Sequence, residues 1–186
     1  LFLIIFAETG LVVFPFLPGD SILFIAGTVV ATAGLNVHLL VALLIVAAIL
    51  GDTVNYAVGR YIGPRAFDKP DSRWFKQAHL RRTQEFYERY GGVTIIIGRF
   101  VPIVRTFAPF LAGVAGMTYR RFLSYNVVGA VAWISSLVYA GYVFGNIPWV
   151  KQNLTLIVLG IVAISLLPAI STFIKERRSR PEPPAP

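Results

Sequence analysis

Two arginines and two prolines interrupt a largely apolar stretch, Gly98-Arg99-Phe100-Val101-Pro102-Ile103-Val104-Arg105-Thr106-Phe107-Ala108-Pro109-Phe110-Leu111-Ala112-Gly113. An arginine at the centre of a bilayer costs about 2.5–3.5 kcal/mol even on the mildest scale. A proline removes a backbone donor and breaks a helix. A plain transmembrane helix would carry neither pair. Irregular backbone that lines a polar cavity inside the protein accommodates both. Residues 92–117 therefore read as a re-entrant hairpin that carries Arg99 and Arg105 towards mid-membrane. The plainer alternative has both arginines snorkelling from the ends of short helices.

The rest of the chain supports a bilayer as solvent. Of 186 residues, 56% are hydrophobic and 14% charged, against about one quarter charged in a soluble domain. The expectation is an all-α integral membrane protein with one transmembrane domain, residues 1–178. The chain has no cysteine, which excludes disulfides, thiol chemistry and thiolate metal sites. Its histidines, His38 and His79, are far apart, and no His/Asp/Glu cluster has metal-ligand spacing. No metal and no cofactor is expected. The net charge of +8 falls in blocks between apolar spans, the pattern of cytoplasmic loops rather than of a nucleic-acid surface.

Taken in order, Leu1–Phe16 is apolar apart from Glu8 and Thr9, and Pro15-Phe16-Leu17-Pro18-Gly19-Asp20 marks a turn. Ser21–Leu35 is apolar again. Each arm is about 15 residues, roughly 22 Å as helix, against a hydrocarbon core of about 30 Å. Residues 1–34 thus read as a first hairpin with Asp20 at its tip, and a longer N-terminal segment would make its first arm a full span. Because Leu1 lies within an apolar run, residues 1–6 are not read as a signal peptide.

Residues 37–62 can span the membrane. Asp52 and Asn55 share a helical face there, which should point into the protein. Residues 64–90 are the polar segment. Within it, 79–90 reads as an amphipathic interfacial helix or as one packed on the protein. Further spans are expected at 122–145, containing Asn126 and Trp133, and at 154–174. Residues 179–186 form a proline-rich tail without structure. In total this makes about three full spans. The positive-inside rule places the basic loop, Arg120-Arg121 and the C-terminus in the cytoplasm. The two hairpins must then enter from opposite faces, as an inverted repeat. Local echoes support this: Ala26-Gly27 with Ala112-Gly113, and Tyr56 to Gly63 with Tyr139 to Gly145. Broken segments at matching positions of two halves mark a transporter's site.

The hairpins carry opposite charge, Glu8 and Asp20 against Arg99 and Arg105. Unpaired at depth, the four would cost roughly 10–14 kcal/mol, so pairing among them is expected. It could be a structural lock, although apolar replacement of such pairs is often neutral or stabilising. It could also be an anion site, since the guanidinium fork suits phosphate and half-helix N-termini add N–H donors. In that case Arg99 and Arg105 bind substrate phosphate. Glu8 and Asp20 act as charge partners and proton carriers, and Asp52, Asn55 and Asn126 give polar support. A lateral opening near Gly113, Ala115 and Gly116 would let a lipid tail stay in the bilayer.

At these residues the sequence resembles the DedA family of bacterial inner-membrane proteins. The resemblance rests on Phe6-Ala7-Glu8-Thr9-Gly10-Leu11-Val12-Val13, Phe16-Leu17-Pro18-Gly19-Asp20-Ser21, Gly51-Asp52-Thr53-Val54-Asn55-Tyr56 and Arg99 to Phe110. Gly59-Arg60 and Tyr125-Asn126-Val127-Val128-Gly129-Ala130 also fit. It runs from Leu1 to about Arg178, and family members usually carry a further N-terminal segment. The resemblance implies opposed re-entrant hairpins and translocation of undecaprenyl phosphate or another anionic lipid across the bacterial cytoplasmic membrane, with protons as coupling partner. Positions required in the family match Glu8, Asp20, Arg99 and Arg105. Other branches imply phospholipid (phosphatidylethanolamine) scrambling or proton-dependent drug export. A scaffold with no substrate is a further alternative. Two arginines at depth favour an anion by Coulomb sign. No activated nucleophile suggests an enzyme. A homo-oligomer is compatible with the sequence and not dictated by it.

Overall fold

A computed structural model describes residues 1–10, 19–67, 90–153, 155–157 and 159–160. Among them every regular element is a helix: α1 (Phe2–Gly10), α2 (Gly19–Ala33), α3 (Val37–Phe67), α4 (90–98), α5 (Pro102–Val114), α6 (Tyr119–Gly145) and α7 (Pro148–Gln152). Among the described residues two stretches are long and apolar enough to cross a membrane, Val37–Gly63 and Tyr119–Gly145. On α3 the outward residues Leu39, Leu43, Val46, Leu50, Val54 and Val58 form an exposed apolar stripe at helical spacing. In water such a stripe would be an aggregation surface.

The long helices run antiparallel. His38 Nδ1 and Tyr139 Oη are 2.6 Å apart at one end, Asn126 Nδ2 donates to the Ile49 carbonyl in the middle, and Tyr56 stacks on Phe122 at the other end. Each shorter second arm lies along the long helix of the other half, α2 on α6 and α5 on α3. Glycines permit this. Gly27 rests on the backbone of Val138 and Tyr142, and Gly141 on Phe24; in the same way Gly113 rests on Tyr56 and Arg60, and Gly59 on Phe110. One turn on, Gly145 meets Thr28 and Gly63 meets Val114. Both pairs are parallel, so equivalent helices of the two halves run in opposite directions. The Ala-Gly and Tyr/Gly echoes in the sequence are these crossings.

Both second arms also stop alike. Gly34 (φ 67°) and Gly116 (φ 74°) supply the left-handed residue that ends a helix, and Leu35 N–H and Met117 N–H reach back to the Val30 and Ala112 carbonyls. Each second arm begins near the middle of the long helix it packs on: Trp133 Nε1 donates to Asp20 at the start of α2, and Asn55 Nδ2 to the Thr106 carbonyl at the start of α5. Two apolar clusters flank that level. One gathers Ile5, Leu23, Leu44, Ile134 and Val138. The other gathers Tyr56, Ile95, Ala112, Met117 and Phe122.

Several boundaries differ from expectation. The span expected at 37–62 is found at Val37–Gly63, while the helix itself carries on to Phe67 through Pro64, because a proline in a last turn forfeits a single ladder bond. Helix α6 starts at Tyr119, so Arg120 and Arg121 are helical. The interruption in the Arg/Pro stretch is only 99–101. It is closed by tight bonds from Arg99, Phe100 and Val101 N–H to the Ile96, Ile97 and Gly98 carbonyls, which leave no backbone donor idle. Pro102 takes the first helical position, where no N–H is needed, and Pro109 is tolerated inside α5. Gly113 lies between the second arm and the span, at the α5–α3 seam, packed against Tyr56 and Arg60. The amphipathic helix at 79–90, most of the span at 154–174 and the tail at 179–186 fall outside the described residues.

These crossings generate a prediction. Gly113→Ala and its counterpart Gly27→Ala each drive a methyl group into backbone of the facing helix, at a cost of about 1–3 kcal/mol. Gly160→Ala, with open space around it, should be neutral. Thermal unfolding of the three variants in detergent checks the difference.

Candidate functional site

Helices α1, α2, α3, α5 and α6 and the turn after α4 converge between the two apolar clusters. Helix α1 crosses α3 where Gly10 meets Gly51. The crossing sets Glu8 and Thr9 beside the polar turn of α3 that holds Asp52 and Asn55. Asn55 Nδ2 donates to the carbonyls of Thr9 (3.3 Å) and Thr106 (2.8 Å), so one amide ties the end of α1 to the start of α5. All these side chains are buried, Glu8 at 1% and Asn55 at 1% exposure.

Arg105, in the first turns of α5, bridges α1 and α2. Its Nη2 pairs with Glu8 Oε1, and its Nη1 lies 2.6 Å from Asp20 Oδ1. The carboxylate of Glu8 sits against the N-terminus of α2, where any side chain at Gly19 would collide with it. Gly19 is therefore required for close approach.

Arg99 behaves differently. Glu8 and Asp20 were expected to share both arginines, but Arg99 pairs with Asp52 of α3, and its Nη2 also donates to Asn126 Oδ1 of α6. The reason is geometric. Arg99 opens the tight turn at 99–101 and Arg105 follows it on α5, so the two reach different neighbours. Gly129 leaves room for the Arg99 stem. Asp52 and Asn126, expected as polar support, are thus direct partners of a guanidinium.

One residue at the centre was not singled out from the sequence. The Trp133 ring of α6 has the Arg105 guanidinium 4.8 Å and the Arg99 guanidinium 5.9 Å from its centroid, within cation–π range. Its Nε1–H donates to Asp20 Oδ1 at 2.9 Å. A signal existed: Trp133 follows Asn126 by seven residues, two helical turns on the same face, and lies mid-span rather than at the interface where tryptophans gather.

Access is uneven. The side chains of Arg99, Arg105, Asp52 and Glu8 are at most 5% exposed, whereas that of Asp20 is 43% exposed. Among the described residues, Glu8 Oε2, Asn55 Oδ1, Arg99 Nε and Arg105 Nε have no hydrogen-bond partner, so the centre retains both donor and acceptor capacity. No group of three or more His, Cys, Asp or Glu residues that could hold a metal occurs among the described residues.

This geometry separates the carboxylates energetically. Asp52→Ala leaves Arg99 buried without its carboxylate, and losing one partner of a buried pair costs about 3–5 kcal/mol. Asp20→Ala removes a far more exposed carboxylate and leaves Glu8 on Arg105, but it strands the buried Trp133 N–H, costing about 1–3 kcal/mol. Unfolding transitions of the two purified variants should differ accordingly.

The VTT domain matches residues 15–143. Protein DedA of Escherichia coli K12 is 54% identical over 181 residues, covering 96% of this chain and 83% of that protein. The uncharacterized membrane protein ML0287 of Mycobacterium leprae is 45% identical over 167 residues, covering 90% of this chain and 75% of that protein. Inner membrane protein YghB of Escherichia coli K12 is 35% identical over 175 residues, covering 91% and 78%. No solved structure matches. Domain match, identity and coverage together make the chain a membrane protein of the DedA family.

Proposed function

We propose that this chain carries the phosphate headgroup of a lipid across the bacterial cytoplasmic membrane, with undecaprenyl phosphate as substrate and without covalent chemistry. The observation that carries the reading is Arg105. Its guanidinium stands at mid-height, held on one side by buried Glu8 and on the other by accessible Asp20. A phosphate can replace Asp20 on that fork at little cost in desolvation, since the fork is already matched to an oxyanion. The tail stays in lipid while the headgroup passes.

In this reading the basic ends of α3 and α6, with Arg60, Arg120 and Arg121, face the cytoplasm. The pairs α1–α2 and α4–α5 enter from opposite faces as re-entrant hairpins, and their tips meet at mid-membrane. Each second arm starts halfway along a spanning helix and runs to an end, which is the support for that placement. Protons fit the charge count. Glu8, Asp20 and Asp52 face Arg99 and Arg105, a formal −1 when all are ionised, and one proton makes the set neutral. Protonation of Glu8 or Asp20 would free Arg105 for substrate, and deprotonation would recapture it and expel the substrate.

The test is reconstitution into liposomes holding undecaprenyl phosphate in both leaflets. Accessibility of the outward phosphate is followed at two pH values. The wild type should move the lipid, Arg105→Ala should not, and Glu8→Gln should move it with a flattened pH dependence. Movement of phosphatidylethanolamine in place of undecaprenyl phosphate would turn the assignment to phospholipid scrambling. If neither lipid moves, the lipid reading falls and the exporter and the scaffold remain, with the arginines as a structural lock.

A further inference from the structure

The reading above leaves open what else, besides Arg105, would hold the phosphate. Asp20 shows the seat. Its Oδ1 accepts two donors from outside its own hairpin, Arg105 Nη1 at 2.6 Å and Trp133 Nε1–H at 2.9 Å. A carboxylate oxygen held by a guanidinium and a neutral N–H is chemically close to a phosphate oxygen held by the same two groups. We infer that the Arg105 guanidinium and the Trp133 indole N–H together form the substrate's anion seat, that Asp20 occupies it in the resting protein, and that Trp133 is a phosphate ligand.

Three observations converge on this. Asp20 is the accessible member of the ion-paired set, so it is the one that can be displaced from outside. Trp133 is 1% exposed, so its N–H, once Asp20 leaves, needs an acceptor from whatever takes the place of Asp20. The Trp133 face also lies against both guanidiniums, which holds the indole edge still while the acceptor changes. Arg99 takes the other role. It is enclosed by Asp52, Asn126 and Gly129, and it fixes α4 and α3 to the ring from behind. The two arginines thus divide the work: Arg105 exchanges its partner and Arg99 keeps it. The seat selects a headgroup with an anionic oxygen and gives no purchase to a cation. The inference rests on the lipid-phosphate reading and adds a ligand and an internal competitor to it.

The experiment uses the full chain in detergent with geranyl phosphate as a soluble prenyl monophosphate and geraniol as the uncharged control. Affinity is read by calorimetry. Emission is read in a W74F/W149F background, so that Trp133 alone reports. Geranyl phosphate should bind and shift the Trp133 emission, and geraniol should do neither. Trp133→Phe keeps an aromatic face and loses only the N–H; it should bind roughly tenfold to a hundredfold more weakly, the worth of one hydrogen bond to a charged group. Asp20→Asn, with its competing charge gone, should bind more tightly than wild type. Unchanged affinity in Trp133→Phe, with binding abolished in Arg105→Ala, would overturn the role of Trp133 and leave the lipid-phosphate reading standing. Undiminished binding in Arg105→Ala, or no binding by wild type, would overturn both. Should Trp133→Phe fail to fold, saturation without an emission shift, or weaker binding by Asp20→Asn, would overturn the inference instead.

Discussion

Two guanidinium groups buried in one layer are the constraint on which the other features of this fold depend. Taking such a group out of water costs several kcal/mol unless acceptors surround it, and no single helix can supply enough. Arg99 draws on α3 and α6, and Arg105 on α1 and α2. Each arginine is therefore a clamp between elements distant in sequence. The acceptors reach only because helices approach closely at Gly10 against Gly51, at Gly19 against Glu8 and at Gly129 against the Arg99 stem. Apolar clusters on either side of the layer keep the local dielectric low, which strengthens every pair and raises the cost of losing one.

The scaffold is repeated but its chemistry is not. Gly27 and Gly113 do the same job, as do Gly141 and Gly59, and Gly34 and Gly116. Opposed copies of one packing scheme bring two helix starts to the same height. Had both starts carried the same charge they would repel. The first carries carboxylates and the second guanidiniums, so symmetry of packing delivers complementarity of charge. Trp133 has no counterpart in the first half: the position 82 residues earlier, by the offset that relates Gly141 to Gly59, is Gly51. There the small residue lets α1 cross, whereas in the second half the same height is filled by the indole.

Much of this was legible in the sequence because it is local. Paired prolines and arginines in an apolar stretch announce a broken, inward-facing segment. The i, i+3 spacing of Asp52 and Asn55 announces a polar face, and the Ala-Gly echoes announce a repeat. The pairing scheme was not legible. Which carboxylate meets which arginine depends on the crossing angle of α1 over α3 and on a three-residue turn, and neither leaves a pattern along the chain. Trp133 was visible as an aromatic residue in a span, but its role needs both hairpins in place. Two helices run on beyond the expected spans, past a proline and through a basic pair. Pro64 and Arg120-Arg121 are accommodated because helix termini already carry unpaired groups.

The exchange of second arms between halves also bears on how the protein is made. Helix α2 leaves the ribosome more than a hundred residues before its partner; Thr28 Oγ1, for instance, bonds the Gly141 carbonyl. Until α6 is inserted, the glycine face of α2 has no helix to lie on. Until α5 arrives, Glu8 and Asp20 have no cation. The acidic half must wait in the membrane for the basic half. The contacts between the halves thus close late in synthesis, and a stall between them would leave Glu8 and Asp20 without their guanidinium.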